Sequence, residues 1–456
     1  MWTKASHPSV FGARRARLAA KLKGPALLVA GHSRPRNFQH NRFPFRAESH
    51  FLYLVGRSLE GAALLISPSH AAILFAQPAD PEAELWTGPM TTLDALSQQL
   101  ELEVRPIDEL EGAPEMAALP PQDLETALWL SELLERDLEP GVELAGPDLE
   151  LAEAMIALRL QHDAAGVEQL RQAAEVTALA HLAGMRGTRP GAREAVVRAA
   201  MEAQITAAGC GTAYGSIVTV HGEVLHNERH DGLLGPTDLL LADVGAETPE
   251  GFAGDVTRVW PVAGRFSATQ RAAYEVVLGA QLAAIAAVAP GVRYLDVHRA
   301  AGLALVEGLI GLRILRGSAP DLYARGAAAL FFPHGVGHLL GIDVHDMEDL
   351  GDRAGYAPGR VRATSPGDRY LRLDRDLQPG MCVTIEPGFY QIPRILSRPE
   401  EVGGLEDALD RRELARFADV RGIRIEDDVF VTDTGSEVLS RAVPKSVADV
   451  EHTMLG

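Results

Sequence analysis

The sequence predicts an α+β protein of two domains: a smaller mixed α/β domain over residues 1–160 and a larger α+β domain over 161–456. Three observations carry that expectation. The chain has 456 residues, enough for two or three cores at a soft prior of roughly 150 residues per domain. Short apolar runs alternate with long Ala-, Leu- and Glu-rich stretches in which apolar residues recur every three to four positions. The texture changes near residue 149, from short runs before it to long helical periods after it.

In chain order, residues 10–22 carry apolar residues at helical spacing with Arg14, Arg15 and Arg17 between them, and Gly24-Pro25 stops that helix before a strand over 26–30. Apolar runs over 51–55, 62–66 and 72–75 read as further strands of a mixed sheet. Pro120-Pro121 and the stretch 140–147 mark loops near the end of the domain. Helices are expected over 149–160, 167–185 and 192–207, then strands over 217–220, 239–244 and 256–262. Ser267 is the expected N-cap of a helix over 268–288, followed by one over 294–309. Strands return near Phe331, over 381–385 and over 423–432. The Gly-, Pro- and charge-rich stretches 346–371 and 391–421 are insertions long enough to be functional loops.

Composition excludes several classes of function. With 46% hydrophobic and 23% charged residues, the chain is neither disordered nor fibrous. The balance of 43 Lys+Arg against 62 Asp+Glu, net −19, argues against a surface that neutralises nucleic-acid phosphates or anionic lipid. Cys210 and Cys382 are too few for a disulfide framework or a thiolate cluster and fit a reducing compartment. Neither a secretory apolar core nor a membrane-spanning run is seen, so a cytoplasmic protein is expected.

The informative acids lie inside apolar strands. Asp243 ends the run LLLAD, where an unpaired carboxylate would cost several kcal/mol. Asp255 follows in GFAGDVTRVW, and the turn signal at Thr248-Pro249-Glu250-Gly251 between them predicts a β-hairpin that brings the two aspartates together. Either one alone could be a strand-end residue paired with an arginine such as Arg258; two adjacent carboxylates repel unless a cation lies between them. Glu386 in MCVTIEPG and Glu426 in GIRIED repeat the anomaly. Histidines join them: His334, His338 and His345 in PHGVGHLLGIDVHD, and His226 in VLHN, whereas His221 and His230 read as structural or exposed. His334 and His338 are four apart, but Gly335 and Gly337 disfavour a helix and the Glu of a zinc-protease helix is missing. Oxygen-rich ligation with imidazole and no thiolate suits Mn²⁺, Co²⁺ or Zn²⁺. Two such ions about 3.5–4 Å apart would support hydrolysis.

The ordered set LLLADVGAE, GFAGDVTRVWP, PHGVGHLLGIDVHD, QPGMCVTIEPGFY and GIRIEDDVFVT resembles the pita-bread metallopeptidases, relatives of methionine aminopeptidase and creatinase, in their proline-specific branch of prolidase and aminopeptidase P. FPFRAESHFLYLVG and ELWTG resemble the creatinase-like N-terminal domain of that branch. The resemblance implies a pita-bread catalytic domain and two divalent ions, manganese first and cobalt or zinc as alternatives. It implies that Asp243 binds one ion, that Asp255 and Glu426 bridge both, and that His338 and Glu386 complete the shells, with Glu386 doubling as general base. It also implies that His226 and His345 flank the substrate, that His334 lines the pocket, and that the protein is a homodimer. The Asp–Asp hairpin is one residue longer than is usual in the family, an addition its turn can absorb.

Within that branch, YLRLDRDLQPG resembles prolidases, and Arg372 matches the arginine that binds the free carboxylate of Xaa-Pro there. The expected activity is therefore that of an Xaa-Pro dipeptidase, acting on peptides with proline at the second position. Xaa-Pro aminopeptidase activity on longer peptides is the alternative, and Arg372 could also be an ordinary exposed arginine of a charged loop. A non-catalytic pita-bread binding module, or a creatinase-like enzyme working without metal, is the remote one, since all five ligands are present.

Overall fold

A computed structural model describes residues 3–69, 71–398, 402 and 404–456. The chain divides into two compact units. One holds Lys4–Leu160 and Pro249–Gly251; the other holds Gln161–Thr248 and Phe252–Gly456.

The first unit is a five-stranded mixed sheet with helices. Its strand order is Glu103–Pro106, Ala72–Ala76, Ala63–Ile66, Ala26–Val29, Ala117–Ala118. The pairings among the three middle strands are antiparallel, and each outer strand pairs parallel with the strand beside it. Leu27, Val29 and Ala63 pack with Ala118, Leu130, Leu134 and Leu138 in its core.

The run 51–55, expected as a strand, is helical. Ser49–Val55 is a seven-residue helix. Glu48 caps it by accepting from the His50 and Phe51 N–H groups, and Gly56 closes it at φ 73°. Its last carbonyls are taken by two buried arginines of the helix Pro8–Ala19: Arg14 Nη1 donates to Tyr53 O and Arg15 Nη1 to Leu54 O. Every residue from His50 to Val55 is buried. A helix apolar on all sides shows no 3.6-residue period, so a short one cannot be told from a strand by pattern.

In the second unit the helix Ala164–Gly187, capped by Asp163, packs against Glu194–Ala207. Ala268–Ala287 opens with a Ser267–Gln270 capping box and packs against Tyr294–Gly311. Ile217–Thr219, Leu239–Asp243 and Thr257–Pro261 form one antiparallel sheet. The expected hairpin is present, with Asp243 opposite Thr257.

Two strand expectations fail. The segment 423–432 is two strands: Gly422–Arg424 pairs with Gly388–Tyr390, and Asp427–Val431 pairs with Cys382–Ile385. The chain changes partner at Ile425 and Glu426, whose N–H groups donate to Pro387 O and Thr257 O. An apolar run does not record which neighbour it pairs with. Near Phe331 there is a 3-10 turn, Ala327–Leu330, in place of a strand. Phe331 and Phe332 bury their rings without joining a ladder, and Pro333 has no N–H to offer one.

Among the described residues, no helix is long and apolar enough to cross a membrane.

Candidate active site

Strand ends and strand breaks bring the acids together. Asp243 is the last residue of its strand, and Asp255 stands just before the returning one. Glu386 follows Cys382–Ile385, and Glu426 occupies the break described above. His338 comes from an irregular segment in which Gly337 adopts φ 154°. A Cβ at Gly337 would collide with the Thr384 carbonyl and the Tyr294 hydroxyl, so only glycine lets this segment lie against the strand. His338 N donates to Thr384 Oγ1, and the Thr384 N–H donates to His338 O.

All nine residues singled out in the sequence line one cavity of about 590 Å³: Asp243, Asp255, His338, Glu386, Glu426, His226, His334, His345 and Arg372. Asp243, Asp255, His338 and Glu426 are buried, and Glu386 is partly exposed to the cavity. His226 lies at its exposed side. His338 Nε2 is 3.4 Å from Asp255 Oδ2 and 3.7 Å from Glu386 Oε1. His334 Nδ1 is 3.6 Å from Glu386 Oε2. The rings of His338 and His345 are 4.0 Å apart.

Residues not singled out in the sequence complete the site. Tyr214 Oη lies 2.6 Å from both Asp243 Oδ1 and Asp255 Oδ1. Arg424 Nη2 donates to Asp243 Oδ2 at 2.6 Å, its Nε donates to Thr257 Oγ1, and that hydroxyl donates to Glu426 Oε2. Arg424 Nη1 also reaches Tyr390 Oη, which lies 2.9 Å from His334 Nε2. The arginine beside Asp243 is thus Arg424 and not Arg258, which pairs with Asp427. A signal for Arg424 was present, since a cation inside GIRIE is as anomalous as the acid. Tyr214 carried none.

The charges explain why cations belong here. Burial pushes the Asp243 carboxyl up against the pull of Arg424. Burial also raises Glu386 to about 7, aided by repulsion from Asp255 and Asp243. Burial and the neighbouring carboxylates drive Glu426 well above the usual range. Asp255 alone is held low, because His338 outweighs its burial. His338 itself is buried, yet the bond and charge of Asp255 and the charge of Glu386 raise it to about 9. A proton on His338 Nε2 therefore supplies positive charge that a metal ion can replace. His338 Nδ1 is 3.0 Å from Leu339 O, which makes it the donor and presents Nε2 to the acids, as a ligating imidazole requires. One ligand atom from each of Asp255, His338 and Glu426 lies within 4.8 Å of the other two. The donor set fits divalent metal.

At the cavity rim, Glu348 Oε2 accepts from Arg372 Nη1 at 2.7 Å and lies 3.0 Å from His345 Nδ1. Burial opposes ionisation of Glu348, but the His345 bond and the charges of His345 and Arg372 hold it at about 2.

The pattern of Metallopeptidase family M24 matches residues 168–433. The chain belongs to this family. The aminopeptidase P N-terminal domain matches residues 11–124, so the fold is a pita-bread catalytic domain preceded by that domain. The M24 chain is similar to Xaa-Pro aminopeptidase 2 of Streptomyces coelicolor, 31% identical over 464 aligned positions covering 97% of this chain and 90% of that protein. It is 36% identical to human Xaa-Pro dipeptidase over 300 positions, covering 64% of this chain and 59% of the other. Among solved structures, aminopeptidase PepP from Pseudomonas aeruginosa matches with a TM-score of 0.79 at 30% identity, covering 99% of this chain and 98% of that one. The protein is an Xaa-Pro metallopeptidase of family M24; the family implies divalent metal, and Asp255, His338 and Glu426 form a candidate group to hold it.

Proposed function

We propose that the protein is an Xaa-Pro dipeptidase. The observation that carries this reading is Arg372, whose guanidinium lies in the wall of the cavity that holds the acids and histidines. A free C-terminal carboxylate is an anion that a guanidinium grips with two parallel hydrogen bonds, and a two-residue substrate brings one close to its scissile bond. Identity to the human dipeptidase across 300 positions supports the same reading. Xaa-Pro aminopeptidase activity is the second reading, favoured by relatives of that name that align over 97% of the chain.

In this proposal Asp243, Asp255, His338, Glu386 and Glu426 hold two divalent ions, manganese by preference for an oxygen-rich set, with cobalt or zinc fitting the same donors. Bound there, they would polarise the scissile carbonyl and acidify a water. Glu386, the most exposed of the four acids to the cavity, takes the proton of the attacking water and delivers it to the proline nitrogen as the C–N bond breaks. His226 and His345 flank the oxygen that gains charge as the carbonyl carbon becomes tetrahedral, where an imidazolium N–H stabilises it. His334, tied to Tyr390, shapes the pocket wall. The protein works as a cytoplasmic homodimer.

Turnover of a dipeptide, a tripeptide and a tetrapeptide sharing the same Xaa-Pro start tests the reading. The dipeptide is cut at least tenfold faster at equal concentration, and Arg372→Glu removes that advantage. Equal rates on all three, with Arg372→Glu unchanged on the dipeptide, would establish the aminopeptidase reading instead.

A further inference from the structure

Glu348 has no part in the chemistry above, yet a single one of its oxygens meets two groups that do. Oε2 lies 2.7 Å from Arg372 Nη1 and 3.0 Å from His345 Nδ1. The backbone before it is unusual. Met347 is buried and sits at φ 60°, the left-handed region that a side-chain-bearing residue disfavours. This residue opens the 3-10 turn Glu348–Leu350, so the Glu348 carboxylate comes back to the histidine three positions earlier. Strain of this kind persists where the surroundings over-determine it, and it concentrates at functional sites.

The contact also leaves Arg372 with a usable edge. It engages Nη1, and among the described residues no hydrogen bond or ion pair uses the Nε and Nη2 side. That side presents two parallel donors, the geometry that matches both oxygens of a carboxylate. His345 is held in a complementary way. With Nδ1 donating to Glu348, its Nε2 is the nitrogen left for substrate.

We propose that Glu348 is a positioning residue that sets specificity for a free C-terminal carboxylate: it pins Arg372 by one corner with its two-donor edge open, and through the same oxygen orients His345. This rests on the dipeptidase reading of the site. Carboxylate recognition and oxyanion stabilisation then share one anchor, and loss of that anchor affects them separately. A substrate lacking the carboxylate feels only the His345 part.

The experiment compares kcat and KM for Ala-Pro and Ala-Pro amide in the metal-loaded wild type, Glu348→Ala and Glu348→Gln, with thermal midpoints recorded for each. In the wild type KM for Ala-Pro lies at least tenfold below that for the amide. Glu348→Ala raises KM for Ala-Pro about tenfold, leaves KM for the amide within twofold, and lowers kcat on both. Glu348→Gln, which keeps an acceptor oxygen in place, recovers part of the KM for Ala-Pro. If the wild type discriminates and Glu348→Ala keeps the same KM ratio, the role of Glu348 is refuted while the dipeptidase reading stands. A wild type that treats the two substrates alike overturns the dipeptidase reading, and this inference with it. Equal losses on both substrates accompanied by a lowered midpoint in both variants would make Glu348 structural only.

Discussion

Arg424 Nη2 donates to Asp243 Oδ2 at 2.6 Å, and both side chains are buried. Removing one member of a buried pair leaves an uncompensated charge and costs about 3–5 kcal/mol. Arg424→Met should lower the unfolding free energy of the metal-stripped protein by about that much, measured by urea titration. The same variant loaded with Mn²⁺ should recover part of the loss, because the cations then compensate Asp243. A cost below about 1 kcal/mol without metal would mean that Arg424 does not hold Asp243 ionised.

The acids predict how stability and metal depend on each other. Glu386 has a folded-state pKa of about 7 against an ordinary value of 4.5, mainly through burial. Between those two values the folded chain keeps a proton that the unfolded chain has released. The part of the metal-stripped protein's stability that Glu386 contributes therefore falls as pH rises from about 4.5 to about 7, and it is read as the difference between the wild type and Glu386→Gln. Saturating Mn²⁺ should raise the thermal midpoint more at pH 7.5 than at pH 5, because ionised carboxylates bind it better. Asp255→Ala should abolish this response together with metal loading and peptidase activity. A wild-type midpoint that gains on that of Glu386→Gln as pH rises across the window, both stripped of metal, would contradict the sign.

Arg258 offers a test just behind the cavity wall, since it does not line the cavity itself. It is fully buried, pairs with Asp427 at 2.7 Å, and donates to the Glu426 carbonyl. Asp427 also accepts from Lys445 and Gln281 at 2.6 Å each. Arg258→Met should cost about 3–5 kcal/mol in unfolding free energy, with KM of the folded enzyme changed less than twofold. A large KM shift without loss of stability would move Arg258 into the substrate site.

Much of the site was legible because burying an acid is expensive. Asp243, Asp255, Glu386 and Glu426 stand out against apolar strands whatever the fold around them. The long helices were equally legible, since 3.6-residue periodicity and caps such as Ser267 are local properties. The short elements were not. Residues 51–55 became a helix through Glu48, Gly56 and two arginines from another helix, none of which alters the apolar run itself.

The sequence alone thus determined that this protein has two domains' worth of core, long helices beside short strands, and a set of acids inside apolar runs whose burial calls for compensating charge. Tertiary structure decided the partnerships. It gave Asp243 to Arg424 and left Arg258 to Asp427, placed Tyr214 between two aspartates, broke the strand at Glu426, and joined His345 to Arg372 through Glu348. The reason is physical: periodicity and desolvation cost are carried by the residues themselves. Pairing between residues up to about 180 positions apart depends on which backbones pack together, and no local pattern encodes that.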